Sequence, residues 1–276
     1  TVVWATTIGA VLGPNIAAPA GRSVVGLGIP AAAGPFLWAT GVFVVALLTA
    51  RALAAADAAH AAAETGNAEA GTGTSTGTGA EERSLRAGLA AVAASPRARL
   101  ALATIAGSHT AMVSIMVMTP VDLGHHGAGI ELIGLVISGH ITGMYAFSPL
   151  MGWLADRIGR LSVIFLALAL LVCAAALAGT SDGSHVQSAA GLFLLGLGWS
   201  AGLVSGSALL TDSVPQATRA AAQGLSDLTM NACAGVGGAL SGLVVAQAGY
   251  GWLNVMGAAL LLPVAALALL ALRRRE

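Results

Sequence analysis

From Leu161 to Ala178 the chain carries no charged side chain. A run of that length nearly matches the roughly 20 mostly apolar residues a helix needs to cross the hydrocarbon core. Inside lipid the backbone N–H and C=O groups must find partners within the segment, so a run of this kind is helical. Seven further apolar runs accompany it, at roughly 2–17, 35–53, 100–120, 131–151, 189–210, 220–246 and 252–272. None alternates apolar and polar residues over about ten positions, as a membrane β-barrel strand does. The expected fold class is all-α: a polytopic transmembrane helix bundle with eight spans in this chain. Only 9% of residues are charged, against about 25% in a soluble domain, and mean hydropathy is +0.85. The filling is mostly Ala and Gly, whose small size lets helices approach closely where lipid removes the hydrophobic drive between them.

The few charges give the expected orientation. There is no Lys and there are twelve Arg. The connections after spans two, four and six, with the C-terminal tail, hold Arg83, Arg86, Arg97, Arg99, Arg157, Arg160, Arg219, Arg273, Arg274 and Arg275. The opposite connections hold only Arg22. Arginine-rich loops stay on the cytoplasmic side, so eight spans place both ends of this chain inside, in the plasma (cytoplasmic) membrane. A net charge of zero leaves no broad basic surface for nucleic acid. Cys173 and Cys233 sit within apolar runs and suggest neither a disulfide framework nor a metal knuckle.

Residues 54–98 form the one long connection. Ala54 to Ala63 is Ala-rich and extends the second helix. Gly71 to Gly79 is a Gly/Thr repeat too polar to bury a core. Leu85, Leu89 and Val92 then recur at helical spacing opposite Arg83 and Arg86, the pattern of a short helix on the membrane surface. Ser95-Pro96 reads as the entry to span three.

Glycines recur every fourth residue at Gly198, Gly202 and Gly206, at Gly139 and Gly143, and at Gly238 and Gly242. Such faces are expected helix contacts. Between spans four and five lies a polar stretch, Gly152-Trp-Leu-Ala-Asp156-Arg157-Ile-Gly159-Arg160, expected to be a hinge outside the hydrocarbon. A charge at mid-membrane costs about 2.5–3.5 kcal/mol or more, and the glycines permit a tight turn. Asp156 could accept hydrogen bonds from a helix N-terminus, where the dipole favours an anion, or pair with an arginine. The plain alternative is a solvated turn.

This stretch resembles the cytoplasmic loop motif of the major facilitator superfamily, roughly Gly-x-x-x-Asp-Arg-x-Gly-Arg-Arg/Lys. Gly152, Asp156, Arg157, Gly159 and Arg160 match, and Leu161 replaces the last basic residue. Two other stretches resemble the same family. Gly9, Gly13 and Pro14 look like part of the fifth-helix motif of its proton antiporters, although Ala17-Ala18 stands where that motif closes with two glycines. Asp212 to Arg219, with Gln223-Gly224, looks like the cytoplasmic turn between its tenth and eleventh helices. The resemblance implies that the chain corresponds to helices five to twelve, with four helices preceding them. It further implies three regions. Residues 1–53 would be the last two helices of the N-terminal half, 54–98 a cytoplasmic linker, partly disordered, and 99–276 the C-terminal six-helix half. Within that scheme the polar stretch is a conformational gating motif.

Ionisable residues inside spans are the remaining site candidates. Asp227 lies about seven residues into span seven, with Gln223 and Asn231 four positions to either side on one face. It could bind substrate or protons, or merely pair with Arg219. His109 and His140 could carry protons or simply bond to a neighbouring helix. Asp122, His125, His126 and Glu131 cluster near an outer connection, but adjacent histidines do not converge on a helix, so a solvated loop and no metal site are expected. There is no Gly-x-Ser-x-Gly, no His-Glu-x-x-His and no Walker-type loop, so no catalytic residues, no enzyme activity and no cofactor are expected. The resemblance implies a secondary active transporter working by alternating access on a small-molecule substrate. Proton-coupled efflux of the multidrug type leads. The alternatives are a facilitator importing a small polar solute and a non-transporting helical membrane protein.

Overall fold

The structure is a computed structural model, and it describes residues 12–13, 16–17, 19–65 and 78–273, with side chains described except at Ala32, 56–65 and 78–84. Among the described residues all regular structure is helical. Ten α-helices follow in order: α1 (Gly34–Thr65), α2 (Thr78–Ala94), α3 (Pro96–His125), α4 (Ile130–Tyr145), α5 (Ser148–Ile158), α6 (Arg160–Gly179), α7 (His185–Ser213), α8 (Arg219–Ala248), α9 (Tyr250–Ala259) and α10 (Leu262–Arg273). Seven stretches are long and apolar enough to cross a membrane: α1 up to Ala55, α3, α4 with α5, α6, α7, Gln216–Ala248, and α9 with α10. They fall on seven of the eight expected spans. The expected span at 2–17 lies almost wholly outside the described residues, so the count among those residues is seven. The Gly/Thr repeat lies largely outside them as well.

The chain divides into two compact units, Asn15–Ala80 and Glu81–Glu276 with Thr1–Pro14. In the smaller unit residues 19–25 are helical, and Gly28 turns the chain at φ +75° before α1. The two helices of this hairpin touch at Gly34, where an added Cβ would lie 2.3 Å from the Ala20 carbonyl oxygen. The Trp38 indole N–H donates to Ser23 Oγ at 3.0 Å. The Ala-rich segment after residue 53 continues α1 to Thr65.

In the larger unit α7 is the central helix, packed against α3, α4, α5 and α6. Its small residues make that possible. A Cβ at Gly198 would meet Leu171 of α6, and one at Gly202 would lie 2.6 Å from Ser108 Oγ of α3. Gly206 meets Ile105 of α3 in the same way. Leu100, Ile105, Ile164, Leu171, Leu195 and Leu210 fill the core between these helices. The other glycine faces divide. Gly143 abuts the Phe193 carbonyl oxygen, whereas a Cβ at Gly139 would meet nothing within 4 Å and one at Gly242 would reach only ordinary contact. The close approach on α8 is at Gly237, 2.7 Å from Ser114 Oγ. That residue lies one position away from the every-fourth-residue face.

Three local features depart from expectation. Span four is two helices, α4 and α5, broken at Ala146–Phe147. Pro149 follows the break, and it can neither donate to the Tyr145 carbonyl nor fit against it. The last span is likewise divided, at Leu260–Leu261 just before Pro263. Finally, Gly152–Arg160 is not a nine-residue polar hinge. Residues 152–158 belong to α5, Arg160 begins α6, and the join between them is the single residue Gly159.

The entry to span three holds as read. Ser95 caps α3, its Oγ accepting from the Ala98 N–H at 3.3 Å, with Pro96 in the first turn. Ahead of it, α2 crosses the start of α8 so closely that a Cβ at Gly88 would lie 2.5 Å from the Ala221 carbonyl oxygen. Val92 is buried in the bundle core, while Leu85 and Leu89 stay exposed.

Candidate functional site

At one end of the larger unit the polar stretch meets the end of α7. Gly159 adopts φ +92°, ψ 149°, a region nearly restricted to glycine. This turn brings Arg160 back over the last turn of α5. Its guanidinium hydrogen-bonds Asp156, four residues earlier, and its Nε donates to Asp212 Oδ2 of α7 at 3.4 Å. One arginine thus ties the α5–α6 join to the α7–α8 turn. Asp156 and Asp212 are both exposed, while Arg160 is half-buried. Of the partners weighed for Asp156, the arginine is the one found. Arg157 instead lies 5.5 Å above the Trp153 ring, a cation–π contact on an exposed surface. Gly152 makes no close approach, since an added Cβ would find Val204 at 3.8 Å.

The Asp212–Arg219 turn has a plain construction. Val214 is buried, Pro215 stops α7, and the short 3-10 turn Gln216–Thr218 leads into α8. Arg219 is exposed and forms no ion pair with Asp227. Eight residues of helix put about 12 Å between them. The Asp227 carboxylate is exposed and has no hydrogen bond or ion pair among the described residues. Asn231, also exposed, donates from Nδ2 to the Asp227 backbone carbonyl at 2.8 Å. Gln223 is turned further in, and its Oε1 is enclosed without a hydrogen-bond partner.

The two histidines have different settings. His140 is fully buried between α4 and α7, where its Nδ1–H donates to the Leu192 carbonyl at 2.7 Å. A Cβ at Gly196 would lie 2.3 Å from the His140 carbonyl oxygen, so the glycine closes the two helices over this ring. His109 is half-buried and accepts at Nδ1 from the Trp199 indole N–H at 2.7 Å. It sits near the middle of α3, which is longer than the expected span at both ends. Tyr145 packs edge-on against Trp199, with ring centroids 5.8 Å apart. Trp199 and Tyr145 were not among the sequence candidates. The available signal was that Trp199 lies deep inside a span. No hydrogen bond or ion pair joins either histidine to Asp227 among the described residues.

At the opposite end His126 bonds back to Asp122 and packs on Gly183, and His185 Nε2 reaches the His126 carbonyl at 3.3 Å. No group of three or more metal-ligating side chains gathers among the described residues. An apolar cleft of about 690 Å³ opens between α3, α8, α9 and α10, lined by Thr110, Ser114, Val236, Leu240, Met256 and Pro263 among others. In the fifth-helix motif, Gly9 and Pro14 lie outside the described residues, and Gly13 is helical with no neighbour within 4 Å of an added Cβ.

The sequence of residues 100–276 matches the model of the Major Facilitator Superfamily. The chain belongs to that superfamily. Two relatives from Bacillus subtilis, the MFS-type transporters YddS and YdeG, are 34% and 35% identical to it. Each alignment covers 94% of this chain and 59% of the relative, so the chain spans well under two thirds of the superfamily proteins it matches. The riboflavin transporter RfnT of Brucella anthropi is 31% identical over 179 residues, covering 64% of this chain and 44% of that protein. Membership and the apolar helices make this a multi-pass membrane protein.

Proposed function

We propose that this chain forms the C-terminal part of a secondary active transporter that moves small molecules by alternating access, driven by protons in the export direction. The observation that carries the reading is the single arginine, Arg160, held by both Asp156 and Asp212. Those ion pairs are exposed and cheap to break, since surface pairs contribute only about 0–1 kcal/mol each. They can therefore bias two arrangements of nearly equal free energy without locking either. Gly152, Asp156, Arg157, Gly159 and Arg160 act as the gate, and Asp212 with Arg219 supplies the facing turn. The arginine-rich end faces the cytoplasm, helices preceding Thr1 complete the bundle, and 54–98 links the halves.

Asp227 is the proposed proton carrier. It is a carboxylate about 12 Å into α8, open and without a charge partner among the described residues, and an ionisable residue at such depth normally serves a path or a partner. Gln223 and Asn231 line the same face. The test is flux in proteoliposomes holding the full protein, with and without an imposed pH gradient. Asp227→Asn should abolish the response to the gradient, and Asp156→Asn should slow flux while the protein still reaches the membrane. Flux indifferent to the gradient would remove proton coupling. Unchanged rates in Asp156→Asn would remove the gate. A second reading, import of a small heterocyclic solute, draws on the similarity to RfnT, named as a riboflavin transporter. Direction of accumulation in the same vesicles separates the two.

A further inference from the structure

We propose that His109, Trp199 and Tyr145 form the recognition site for a flat solute bearing a hydrogen-bond acceptor, with Trp199 acting as the positioning residue that fixes His109 as a donor. The inference rests on the transport reading for its biological sense, and on the following geometry for its chemistry.

The indole N–H of Trp199 can only donate. It points at His109 Nδ1 at 2.7 Å, so that nitrogen must present its lone pair and the ring hydrogen must be on Nε2. The ring is thereby held in one tautomer and one orientation, as a buried hydrogen bond to one imidazole nitrogen always sets the role of the other. No protein group takes up Nε2 among the described residues. A ring kept in this state donates one hydrogen bond to a neutral or anionic acceptor. Passing a proton through Nδ1 would require Trp199 to let go, so His109 is a binding group and the coupling proton is left to Asp227.

The surroundings suit a planar partner. Three aromatic rings come from three helices, α3, α4 and α7. His109 and Trp199 lie 5.9 Å apart by centroid at 45°, and Tyr145 and Trp199 lie 5.8 Å apart at 73°. Trp199 is buried, while His109 and Tyr145 are half-buried, so the two outer rings keep open surface beside a fixed indole. The Tyr145 hydroxyl makes no hydrogen bond among the described residues.

Depth and backbone agree. His109 is 13 residues from Pro96 and 16 from His125, about 20 and 24 Å of helix respectively, hence near mid-membrane. Tyr145 is the last residue of α4, at the break before Pro149. Its carbonyl has lost the helical N–H that proline cannot supply. Irregular backbone at such depth is tolerated where it lines a cavity or is covered by protein, and broken helices near the midplane are where transporters build their sites.

Two measurements test this on the full protein in lipid nanodiscs. The first is 15N NMR of histidine-labelled protein, where the resonances missing from His109→Gln belong to His109. The expected spectrum is the Nε2–H tautomer in the native protein and a mixture of both tautomers in Trp199→Phe. A native Nδ1–H tautomer, or a Trp199→Phe spectrum like the native one, overturns the positioning role. The second is equilibrium binding of two fluorescent probes, acridone, flat with a carbonyl acceptor, and ethidium, flat with none. Acridone should bind, His109→Phe should weaken it about tenfold, the scale of one lost hydrogen bond, and His109→Gln, which keeps an N–H donor, should recover most of that loss. Ethidium binding should be the same in His109→Phe, His109→Gln and the native protein. Absence of acridone binding, or equal losses in the Phe and Gln variants, overturns the site. Neither measurement needs flux or a gradient, so their failure is separable from failure of the transport reading.

Discussion

Gly152 and Gly159 look equivalent in the polar stretch, yet their environments call for different things. Gly159 sits at φ +92°, ψ 149°, where a side chain is strained by about 1–3 kcal/mol. Gly152 is helical, with Val204 at ordinary contact distance from an added Cβ. Replacing a helical glycine by Ala gains up to about 1 kcal/mol of propensity. Gly159→Ala should therefore lower the apparent melting temperature of the purified protein by several degrees, and Gly152→Ala should leave it unchanged or raise it. Equal losses in both would mean that the stretch is one hinge after all. Sequence spacing singled out both glycines but could not rank them, because a repeated letter does not carry a dihedral angle. The same limit applies to the histidines. Residue type suggested a proton carrier at His109 and His140 alike. What separates them is a bonding partner 52 residues away for one, Leu192, and 90 residues away for the other, Trp199.

At the scale of elements, hydropathy located the helices well. Seven described spans coincide with apolar runs because crossing lipid imposes one length and one backbone solution. The breaks were less legible. Ser148-Pro149 and Leu262-Pro263 lie inside continuous apolar sequence, and Pro120 lies inside α3 without ending it, so a proline alone does not announce a break. Glycine repeats gave the packing faces only in part, since Gly139 and Gly242 make no close approach. Gly198, Gly202 and Gly206 contact α6 and α3, but Gly196, the glycine between α4 and α7 whose added Cβ would lie nearest the facing backbone, belongs to no repeat. Gly196→Ala would put a methyl 2.3 Å from the His140 carbonyl oxygen and 3.0 Å from the Met144 N–H nitrogen. Both are rigid helix backbone, so the helices must separate, at a cost of about 1–3 kcal/mol. Gly139→Ala, on the same pair of helices with open space beside it, is the control. The expected outcome is a markedly lower melting temperature for Gly196→Ala alone. Matching behaviour in the two variants would show that α4 and α7 slide past each other freely.

At the scale of the molecule, the ends of the larger unit are joined in chemically different ways. One end is tied across elements by packing and a hydrogen bond to backbone, with His126 packed on Gly183 and His185 bonded to the His126 carbonyl. The other is tied by Arg160 between two exposed carboxylates. Ionic strength should act on the second and spare the first, because exposed pairs are screened over about 8 Å at physiological salt. Removing Asp212 leaves Arg160 with its local partner Asp156 but cuts the link to α7. Asp212→Asn should then cost little in stability, about 1 kcal/mol or less, yet change how often the Arg160 end opens. Spin labels at Ile158 and Ser213, on a background lacking Cys173 and Cys233, would report that opening by electron–electron distance measurement. The native protein should show a short-distance population that shrinks as salt is raised, and Asp212→Asn should resemble the native protein at high salt whatever the salt present. If the native distances ignore both salt and the substitution, Arg160 is only a solvated neighbour of two acids, and the gate must be sought elsewhere in the bundle.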